Sequence, residues 1–391
     1  MATEDSRELV ADYIMAARNE GFSPVVVVSA MGRYGDPYAT DTLLEVAGEI
    51  PLRERDLLLS CGEIISGTVL AGVLKKKDCL CDVLPGSLAG IVTDGQYGDA
   101  RIVKVQPEQV FKRLADGHVV IVAGFQGVSD SGEVTTLGRG GSDTTAAALG
   151  VALGAESADI FTDVDGIKTA DPRLVPGART IGEADYDEVF QLANQGAKVI
   201  HPRAVEIARQ GNLPLRIRNT FGGGQGTLVA HRVYPADVWA HRQSDRVATG
   251  ITYLHPLAQA IVESEGEGEV ALEVQIFQNL ADSGISLDLI NVQPGRKSFA
   301  VRQEDSGATA KVLACSGCTY RIVNGCAKVS LVGSAIHGLP GVMANVVRAL
   351  RGQGISILGS SDSHSTISCL VREEEMAEAV RALHRQFNLD H

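Results

Sequence analysis

The last third of the sequence repeats itself at an offset of 70 residues. The segment LADSGISL (280–287) aligns with LRGQGISI (350–357), and FAVRQE (299–304) aligns with CLVREE (369–374). Six identities fall in register, since Gly284, Ile285, Ser286, Val301, Arg302 and Glu304 recur as Gly354, Ile355, Ser356, Val371, Arg372 and Glu374. Each copy reads as strand, helix, glycine turn, strand, strand and helix. The repeat therefore predicts two packed α+β modules whose shared seam can form a ligand site.

The first 230 residues show a different pattern, in which apolar, β-branched stretches alternate with helical segments. VVVVSA (25–30), VVIVAGF (119–125), ADIFTD (158–163) and LPLRIRN (213–219) are typical of strands. The intervening segments TDTLLEVAGEI, ERDLLLSCGEIISGTVLAGVLKKK, DTTAAALGVALG and YDEVFQLANQGAKVI have helical periodicity. This alternation predicts a mostly parallel sheet covered by helices on both faces, with ligands at the carboxyl ends of its strands.

A polar stretch, HRVYPADVWAHRQSDR, separates the two patterns and holds the single Trp of the chain. We interpret it as a linker. The predicted domains are 1–230, a linker at 231–246, a first module at 247–320 and a second module at 321–391.

Composition restricts the classes of partner. With 48 acidic and 35 basic residues the formal net charge is -13, which argues against a broad surface for nucleic acid or anionic membrane. We expect no apolar run that spans a bilayer and no secretion signal, hence a cytoplasmic protein. Seven scattered cysteines favour reduced thiols, and the CxC and CxxC pairs lack the partners of a zinc site, so no resident metal site is predicted.

The densest signal for a functional site is TTLGRGGSDTTAAALG (135–150). Its glycines let the backbone approach a ligand, and Ser142 or Gly141 is positioned to cap the helix that follows. The helix start then offers free amides to a phosphate or carboxylate, and Arg139 adds a forked cation. Asp143 can fix a lysine or bind a metal-bridged phosphate. Taken alone, the motif also fits a glycine-rich turn before a capped helix.

Three further stretches follow predicted strands or lie at helix ends. FTDVDGIKTADPR (161–173) offers acidic and basic side chains in a loop, GAKVIHPRAVEIA (196–208) offers Lys198 before a helix that starts with Pro, and RNTFGGGQGTLV (218–229) is a flexible turn. Each charge alone is typical of a solvated loop, whereas their joint placement near strand ends favours a binding site.

Together these motifs resemble the aspartokinase family. The segments VVVVSAMGRYGDPYATD, LLLSCGE, VVIVAGFQG, LGRGGSDTTAAALG, IFTDVDGIKTADPR, QGAKVIHPRAVEIA and SSDSHSTISCLV occur in the family's order over nearly the whole chain. The resemblance implies an amino acid kinase fold, a mostly parallel three-layer αβα sandwich, followed by two ferredoxin-like ACT modules. It also implies transfer of the γ-phosphoryl group of ATP, carried in with Mg²⁺, to the side-chain carboxylate of L-aspartate, the first step toward lysine, threonine, methionine and diaminopimelate.

The resemblance also implies a role for each matching residue. Glu63 and Arg139 would hold the α-amino and α-carboxyl groups of aspartate. The residues expected near the substrate and the transferred phosphate are Ser29, Thr40, Gly140, Gly141, Ser142 and Asp143, with Asp143 and Arg139 as the catalytic pair. Those expected on the nucleotide side are Thr162, Asp163, Lys168, Arg173 and Lys198.

The family begins with a strand and glycine loop, KFGGTS, that has no counterpart in this chain. Met1 falls about where the family has the Val that follows this motif. We expect either a start placed one motif too late or a gene that lost its first strand. In the family this motif supplies the chief phosphate-binding lysine and several other preorganised donors. Because all of them would be lost at once, we expect very low activity of this chain.

Two other functions remain open at this point. One is a pseudoenzyme, an amino-acid sensor or scaffold that keeps the kinase body and the ACT pair. The other is a related amino acid kinase with another acyl substrate. The resemblance further implies a homodimer or larger oligomer that binds lysine, threonine or diaminopimelate near residues 266–270, Asn291 and residues 338–345, where plain module packing is the alternative.

Overall fold

The computed structural model describes residues 1–231, 247–263, 269–334, 336 and 339–390. The predicted linker therefore lies outside the described residues, except for His231. The strands are β1 (Val25–Val28), β2 (Cys81–Leu84), β3 (Ile91–Thr93), β4 (Ile102–Val105), β5 (Val119–Ala123), β6 (Gln126–Ser129), β7 (Val134–Thr136), β8 (Ala158–Thr162), β9 (Glu183–Ala184), β10 (Leu215–Asn219), β11 (Thr227–Val229), β12 (Gly250–Glu263), β13 (Asp288–Gln293), β14 (Arg296–Arg302), β15 (Thr319–Val332), β16 (Gly359–Asp362) and β17 (Thr366–Arg372).

Eleven α-helices lie among these strands in the described part of the chain. They are α1 (Glu4–Asn19), α2 (Thr40–Ala47), α3 (Leu52–Lys76), α4 (Glu108–Ala115), α5 (Gly141–Leu153), α6 (Tyr186–Asn194), α7 (Pro202–Gln210), α8 (Glu269–Asp282), α9 (Ser306–Cys315), α10 (Val342–Gly352) and α11 (Met376–Gln386). Short 3₁₀ turns at Gln303–Asp305 and Glu373–Glu375 precede α9 and α11.

The chain divides into two compact units. The first comprises Met1–Gly166 and Val199–His231, and the second comprises Ile167–Lys198 and Arg232–His391. The second unit thus includes Ile167–Lys198, which the sequence pattern assigns to the predicted first domain, 1–230. The predicted domain boundaries themselves stay predictions.

Parallel pairing dominates the centre of the first unit. Strands β1, β5 and β2 form a parallel sheet in the order β1-β5-β2, and β8 pairs in parallel with β10. A second sheet has the order β4-β3-β6-β7. The alternating side chains of β5 point to two different cores, because Val119 and Ile121 pack with α1 and α3 whereas Val120 and Val122 pack with α4 and α5. The predicted sheet with helices on both faces is confirmed.

Helix α3 corrects the expectation that no apolar stretch is long enough to span a bilayer. Its 25 residues are long and apolar enough to cross a bilayer by length and composition, and it is the one such helix in the described part of the chain. However, half of its apolar window is buried within the protein, and the helix carries the buried carboxyl groups of Asp56 and Glu63. Since Leu70 and Leu74 pack against β5, we interpret α3 as a core helix.

The second unit contains the sequence repeat. The elements β12-α8-β13-β14-α9 and β15-α10-β16-β17-α11 follow the same order, as the repeat predicts. Their strands form one sheet in the order β13-β14-β12-β15-β17-β16, with the two copies joined through antiparallel pairing of β12 and β15. Gly284 and Gly354 both have positive φ, 69° and 74°, where each copy turns after its first helix.

One predicted helix ends earlier than its sequence pattern indicates. The segment YDEVFQLANQGAKVI is helical only as far as Asn194. Gly196 then adopts φ 121°, and a Cβ there would lie 2.1 Å from the carbonyl oxygen of Tyr253. Close approach of two backbone segments therefore overrides the helical periodicity of the last residues.

Candidate active site

Glu63 is the most buried charged side chain among the predicted site residues. It lies on α3, is 2% exposed, and its Oε1 accepts a hydrogen bond of 3.0 Å from the backbone N–H of Ala30, just after β1. Its Oε2 is buried and has no hydrogen-bond partner among the described residues. Burial raises the pKa of Glu63 to about 7, although backbone N–H groups partly oppose this shift. An unpartnered buried carboxylate oxygen suits a cationic ligand.

Gly62 explains how Glu63 reaches this position. A Cβ on Gly62 would lie 2.9 Å from the Cβ of Ala30 and 3.2 Å from the carbonyl oxygen of Tyr38. Only a residue without a side chain lets α3 approach the loop after β1 so closely. The glycine of the SCGE motif thus allows the close packing that places the glutamate after it beside the end of β1.

The glycine-rich loop leads into α5 without a capping side chain. Gly140 is the N-cap residue, in the left-handed conformation at φ 68°, and no side chain caps the helix. The prediction that Ser142 or Gly141 caps α5 is therefore wrong. Both lie inside the first turn, because the left-handed Gly140 already redirects the chain. The N–H of Gly141 donates to the carbonyl of Gly138 at 3.1 Å, which leaves the N–H groups of Ser142 and Asp143 for a phosphate or carboxylate.

The start of α5 lies beside the carboxyl ends of the central strands. A Cβ on Gly124, directly after β5, would lie 2.8 Å from Val27 Cγ1 and 3.0 Å from Ser142 Oγ. Ser29 follows β1 and is exposed, and Thr40 begins α2. Arg139 is also exposed, which leaves its guanidinium accessible. These positions agree with the rule that ligands bind at the carboxyl ends of parallel strands.

Asp143 and His201 connect the glycine loop to α7. The carboxylate of Asp143 accepts a hydrogen bond of 3.4 Å from the backbone N–H of His201. Burial raises the pKa of Asp143 to about 6. The imidazole of His201 accepts from the backbone N–H of Arg203 at 3.3 Å, and burial together with Arg203 lowers its pKa. A Cβ on Gly140 would lie 2.3 Å from the Cβ of His201, so the loop packs directly on this residue.

Thr162 is the last residue of β8, and Asp163 follows it. The carboxylate of Asp163 forms an exposed ion pair of 2.6 Å with Arg33, which lies in the loop after β1. The next acidic residue, Asp165, accepts a hydrogen bond of 2.7 Å from the side chain of Asn219 at the end of β10. The structure therefore brings the loops after β1, β8 and β10 to one edge of the first unit.

The remaining predicted residues, Lys168, Arg173 and Lys198, belong to the second unit. Lys168 is half-buried and donates to the hydroxyl of Thr180 at 3.4 Å, whereas Lys198 is exposed. Arg173 forms a bidentate pair with Asp171, with its closest N–O distance at 2.6 Å.

Sequence reasoning missed three residues at these loops. Arg33 pairs with Asp163, His201 packs against Gly140, and Phe125 adopts φ 66° at the end of β5. A signal existed for His201 alone, because it directly precedes the Pro that starts α7. No sequence pattern reveals the positive φ of Phe125, a strain that tertiary contacts impose.

Family models match both parts of the chain. The amino acid kinase family matches residues 1–219, and an ACT domain matches residues 321–385. Among curated proteins, aspartokinase 1 of Bacillus subtilis is 44% identical over 393 residues, covering 99% of this chain and 96% of the relative. The aspartokinase of Geobacillus stearothermophilus is 41% identical over 390 residues, with 97% and 93% coverage.

The chain belongs to the aspartokinase family.

Solved aspartokinases share its fold. Escherichia coli aspartokinase III in complex with aspartate and ADP matches with a TM-score of 0.79 at 24% identity, covering 99% of this chain and 97% of that chain. The same enzyme in complex with lysine and aspartate matches with a TM-score of 0.68 at 27% identity, covering 89% and 79%. The predicted family, the amino acid kinase fold and the ACT region are confirmed, and with them the classification of this aspartokinase as a kinase.

Proposed function

We propose that this aspartokinase phosphorylates the side-chain carboxylate of L-aspartate with ATP, the first step toward lysine, threonine, methionine and diaminopimelate. The observation that carries the proposal is the carboxylate of Glu63, which is buried beside the loop after β1 with one oxygen unpartnered among the described residues. The α-ammonium group of an amino acid would satisfy that oxygen. The Bacillus subtilis and Geobacillus stearothermophilus relatives, both named aspartokinase, support the choice of aspartate.

The other groups at the site match the remaining parts of the reactants. Arg139 is accessible and its planar guanidinium suits the α-carboxylate of aspartate. The N–H groups of Ser142 and Asp143, in the first turn of α5, suit the phosphate that is transferred. We assign Ser29, Thr40 and Ser142 to the same region, and Thr162, Asp163, Lys168, Arg173 and Lys198 to nucleotide binding.

Phosphoryl transfer to a carboxylate needs little covalent help from the protein. An oxygen of the aspartate side chain attacks the γ-phosphorus, the bond to the bridging oxygen breaks, and ADP leaves with the electron pair. No general base is required because the nucleophile is already ionised. The contribution of the chain is therefore to position the two reactants and to neutralise charge.

Mg²⁺ would enter with ATP and neutralise part of the phosphate charge. No cluster of three or more His, Cys, Asp or Glu residues in the described part of the chain could hold a metal ion on its own. Asp143, half-buried at the first turn of α5, suits an indirect role toward a metal-bridged phosphate. Its pKa of about 6 leaves it mainly ionised at pH 7.5.

The test is formation of aspartyl phosphate, trapped with hydroxylamine, with Mg-ATP and L-aspartate. Glu63→Gln and Arg139→Ala should each lower kcat/KM about 10- to 100-fold, in line with the loss of a charged hydrogen bond in a binding site. Cys61→Ser, an exposed change two residues from Glu63, serves as the matched control. Unchanged activity of both site variants beside an active wild type would contradict the proposed site.

KFGGTS does not occur within residues 1–391, and we propose that a polypeptide limited to these residues turns over slowly. A variant that places KFGGTS before residue 1 should be at least about 100-fold faster, because a preorganised phosphate donor is worth that much. Equal turnover of the two polypeptides would contradict this view. A folded, extended variant that binds aspartate without turnover would support the pseudoenzyme instead.

Regulation by an end product is the further part of the proposal. Escherichia coli aspartokinase III is known in complex with lysine and aspartate, which supports lysine among the three effectors proposed here, lysine, threonine and diaminopimelate. We propose that a cytoplasmic homodimer or larger oligomer binds the effector near Asn291 and within residues 266–270 and 338–345, of which 266–268 and 338 lie outside the described residues. Equilibrium titration with each amino acid tests this, and no binding of any would contradict it.

A further inference from the structure

The loop that carries Lys168 and Arg173 is joined to the regulatory sheet by backbone hydrogen bonds. The N–H of Thr169 donates to the carbonyl of Arg179 at 2.9 Å, and this pairs the two arms of the loop. The N–H of Ile251, in β12, donates to the carbonyl of Thr169 at 2.8 Å. Thr169 is buried, so these bonds are protected from water. The loop is therefore built on the first strand of the ACT repeat.

Within this loop Asp171 holds Arg173 in place. The carboxylate of Asp171 accepts the Nε–H of Arg173 at 3.0 Å and an Nη2–H at 2.6 Å, and its Oδ1 also accepts the backbone N–H of Arg173 at 2.9 Å. Because a guanidinium has five N–H groups, three of them remain for another anion. Arg173 is exposed, whereas the side chain of Asp171 is 15% exposed.

Tyr253 fixes the carboxylate from the opposite side. Its hydroxyl donates to Asp171 Oδ2 at 2.8 Å. Arg173 lowers the pKa of Asp171 to about 2, with a smaller contribution from Tyr253, so the acceptor is ionised across the physiological range. A hydrogen bond from Tyr253 to an ionised acceptor thus determines where Asp171, and with it Arg173, can lie.

The backbone of Tyr253 also contacts the segment that leads to Lys198. Gly196, at φ 121°, approaches so closely that a Cβ there would lie 2.1 Å from the carbonyl oxygen of Tyr253. Lys198 follows two residues later. One residue of β12 therefore touches both stretches of the second unit that carry predicted nucleotide-binding cations.

Tyr253 lies where the two modules of the ACT repeat are joined. It pairs with Val329 across the β12–β15 seam that joins the two modules. Its ring lies 5.6 Å from the ring of His255, which contacts Glu373 of the second module at 2.9 Å. A change in this seam would move the hydroxyl that Asp171 depends on.

We propose that Tyr253 is a positioning residue for nucleotide binding, which holds Arg173 through Asp171 and thereby links the ACT sheet to the affinity for Mg-nucleotide. This inference rests on the proposed function in one respect, the assignment of Arg173 to the nucleotide. Tyr253 itself does not need to touch the nucleotide.

The test is calorimetric titration of the full chain with Mg-ADP and, separately, with L-aspartate. Tyr253→Phe keeps the ring and removes the hydroxyl, so it should weaken Mg-ADP binding about three- to tenfold and leave aspartate binding unchanged. Tyr320→Phe is the matched control, because Tyr320 is a half-buried strand residue of the same sheet whose hydroxyl has no hydrogen bond in the described part of the chain. Equal thermal unfolding of the two variants verifies that both are folded.

A double-mutant cycle separates this inference from the proposed function. Arg173→Ala should weaken Mg-ADP binding by itself, and adding Tyr253→Phe to it should change the affinity less than twofold. If Arg173→Ala weakens binding and Tyr253→Phe does not, the positioning role is wrong while the nucleotide assignment stands. If Tyr253→Phe weakens binding equally with and without Arg173, the route through Asp171 is wrong. If Arg173→Ala has no effect, both the assignment and the inference fail.

Discussion

The carboxylate of Glu63 accepts a hydrogen bond from the backbone N–H of Ala30 at 3.0 Å, while its second oxygen is buried without a partner among the described residues. The first bond fixes the side chain against the end of β1. The second oxygen is held away from water, which raises the pKa to about 7. The folded protein therefore buries the Glu63 carboxylate at a cost in stability, at the place where we propose that a cationic group of the substrate binds.

Replacing Glu63 should stabilise the protein above pH 7. Its folded-state pKa of about 7 exceeds the unfolded value of 4.5, so the folded state binds more protons between these values. The stabilisation that comes from protonation of Glu63 in the folded state is fully present below about pH 4.5 and is lost as the pH rises through about 7. Glu63→Gln should thus raise the free energy of unfolding by roughly 2–4 kcal/mol at pH 8 and by much less at pH 5. Denaturant titrations at both pH values measure it.

The control for this prediction is Glu49→Gln, a change at an exposed position before α3. It should alter the free energy of unfolding by less than about 0.5 kcal/mol at either pH. A destabilised Glu63→Gln variant at pH 8 would show that Glu63 is paired in the folded protein.

The affinity for aspartate should fall as the pH drops below 7. Protonation of Glu63, whose pKa is about 7 in the free protein, removes the negative charge that the proposed site offers to an ammonium group. The Kd should rise toward tenfold per unit of pH below about 6, and Glu63→Gln should bind weakly with no such dependence. Titrations at pH 5.5, 6.5 and 8 test this, and a wild-type Kd that stays constant over the range contradicts it.

Gly140 should tolerate no side chain. Its φ of 68° disfavours any L-residue, and a Cβ would lie 2.3 Å from the Cβ of His201. Gly140→Ala should cost about 2–5 kcal/mol of stability, from backbone strain plus overpacking, and should abolish phosphate binding at the start of α5.

Gly117 offers the matched comparison for backbone strain alone. It has φ 78°, and a Cβ there would have no neighbour within 4 Å. Gly117→Ala should cost only about 1–2 kcal/mol and leave Mg-ADP binding intact. Chemical denaturation gives the free energy of unfolding of both variants, and calorimetry gives their affinity for Mg-ADP. Equal losses of stability in the two variants would show that the contact with His201 does not add to the cost at Gly140.

Replacing the turn glycine with alanine should cost the same stability in both copies of the ACT repeat. Gly284 and Gly354 have φ 69° and 74° with open space around each Cβ, so alanine should cost about 1–2 kcal/mol at either site. Gly352 is the helical control, and Gly352→Ala should stabilise the protein by about 0.5–1 kcal/mol. Thermal unfolding of the three variants tests this, and a cost at one turn only would show that the copies differ there.

Local patterns in the sequence were sufficient for the element order of both units. The β-branched run of β5 and the repeat containing Gly284 and Gly354 have periods that depend only on neighbouring residues, and the structure confirms the parallel sheet and the two βαββα copies. The glycine-rich motif around Arg139 was equally visible from residue type and spacing, whereas Glu63 was identified only through the resemblance to the aspartokinase family.

Tertiary structure decided the contacts between segments distant in sequence. The early end of α6 depends on a carbonyl of β12, the close packing of Gly140 on His201, and the position of Arg33 on Asp163. These features arise because burial and backbone approach are properties of the packed chain, whereas periodicity is a property of a short window. The raised pKa of Glu63 has the same origin, since only folding removes its carboxylate from water.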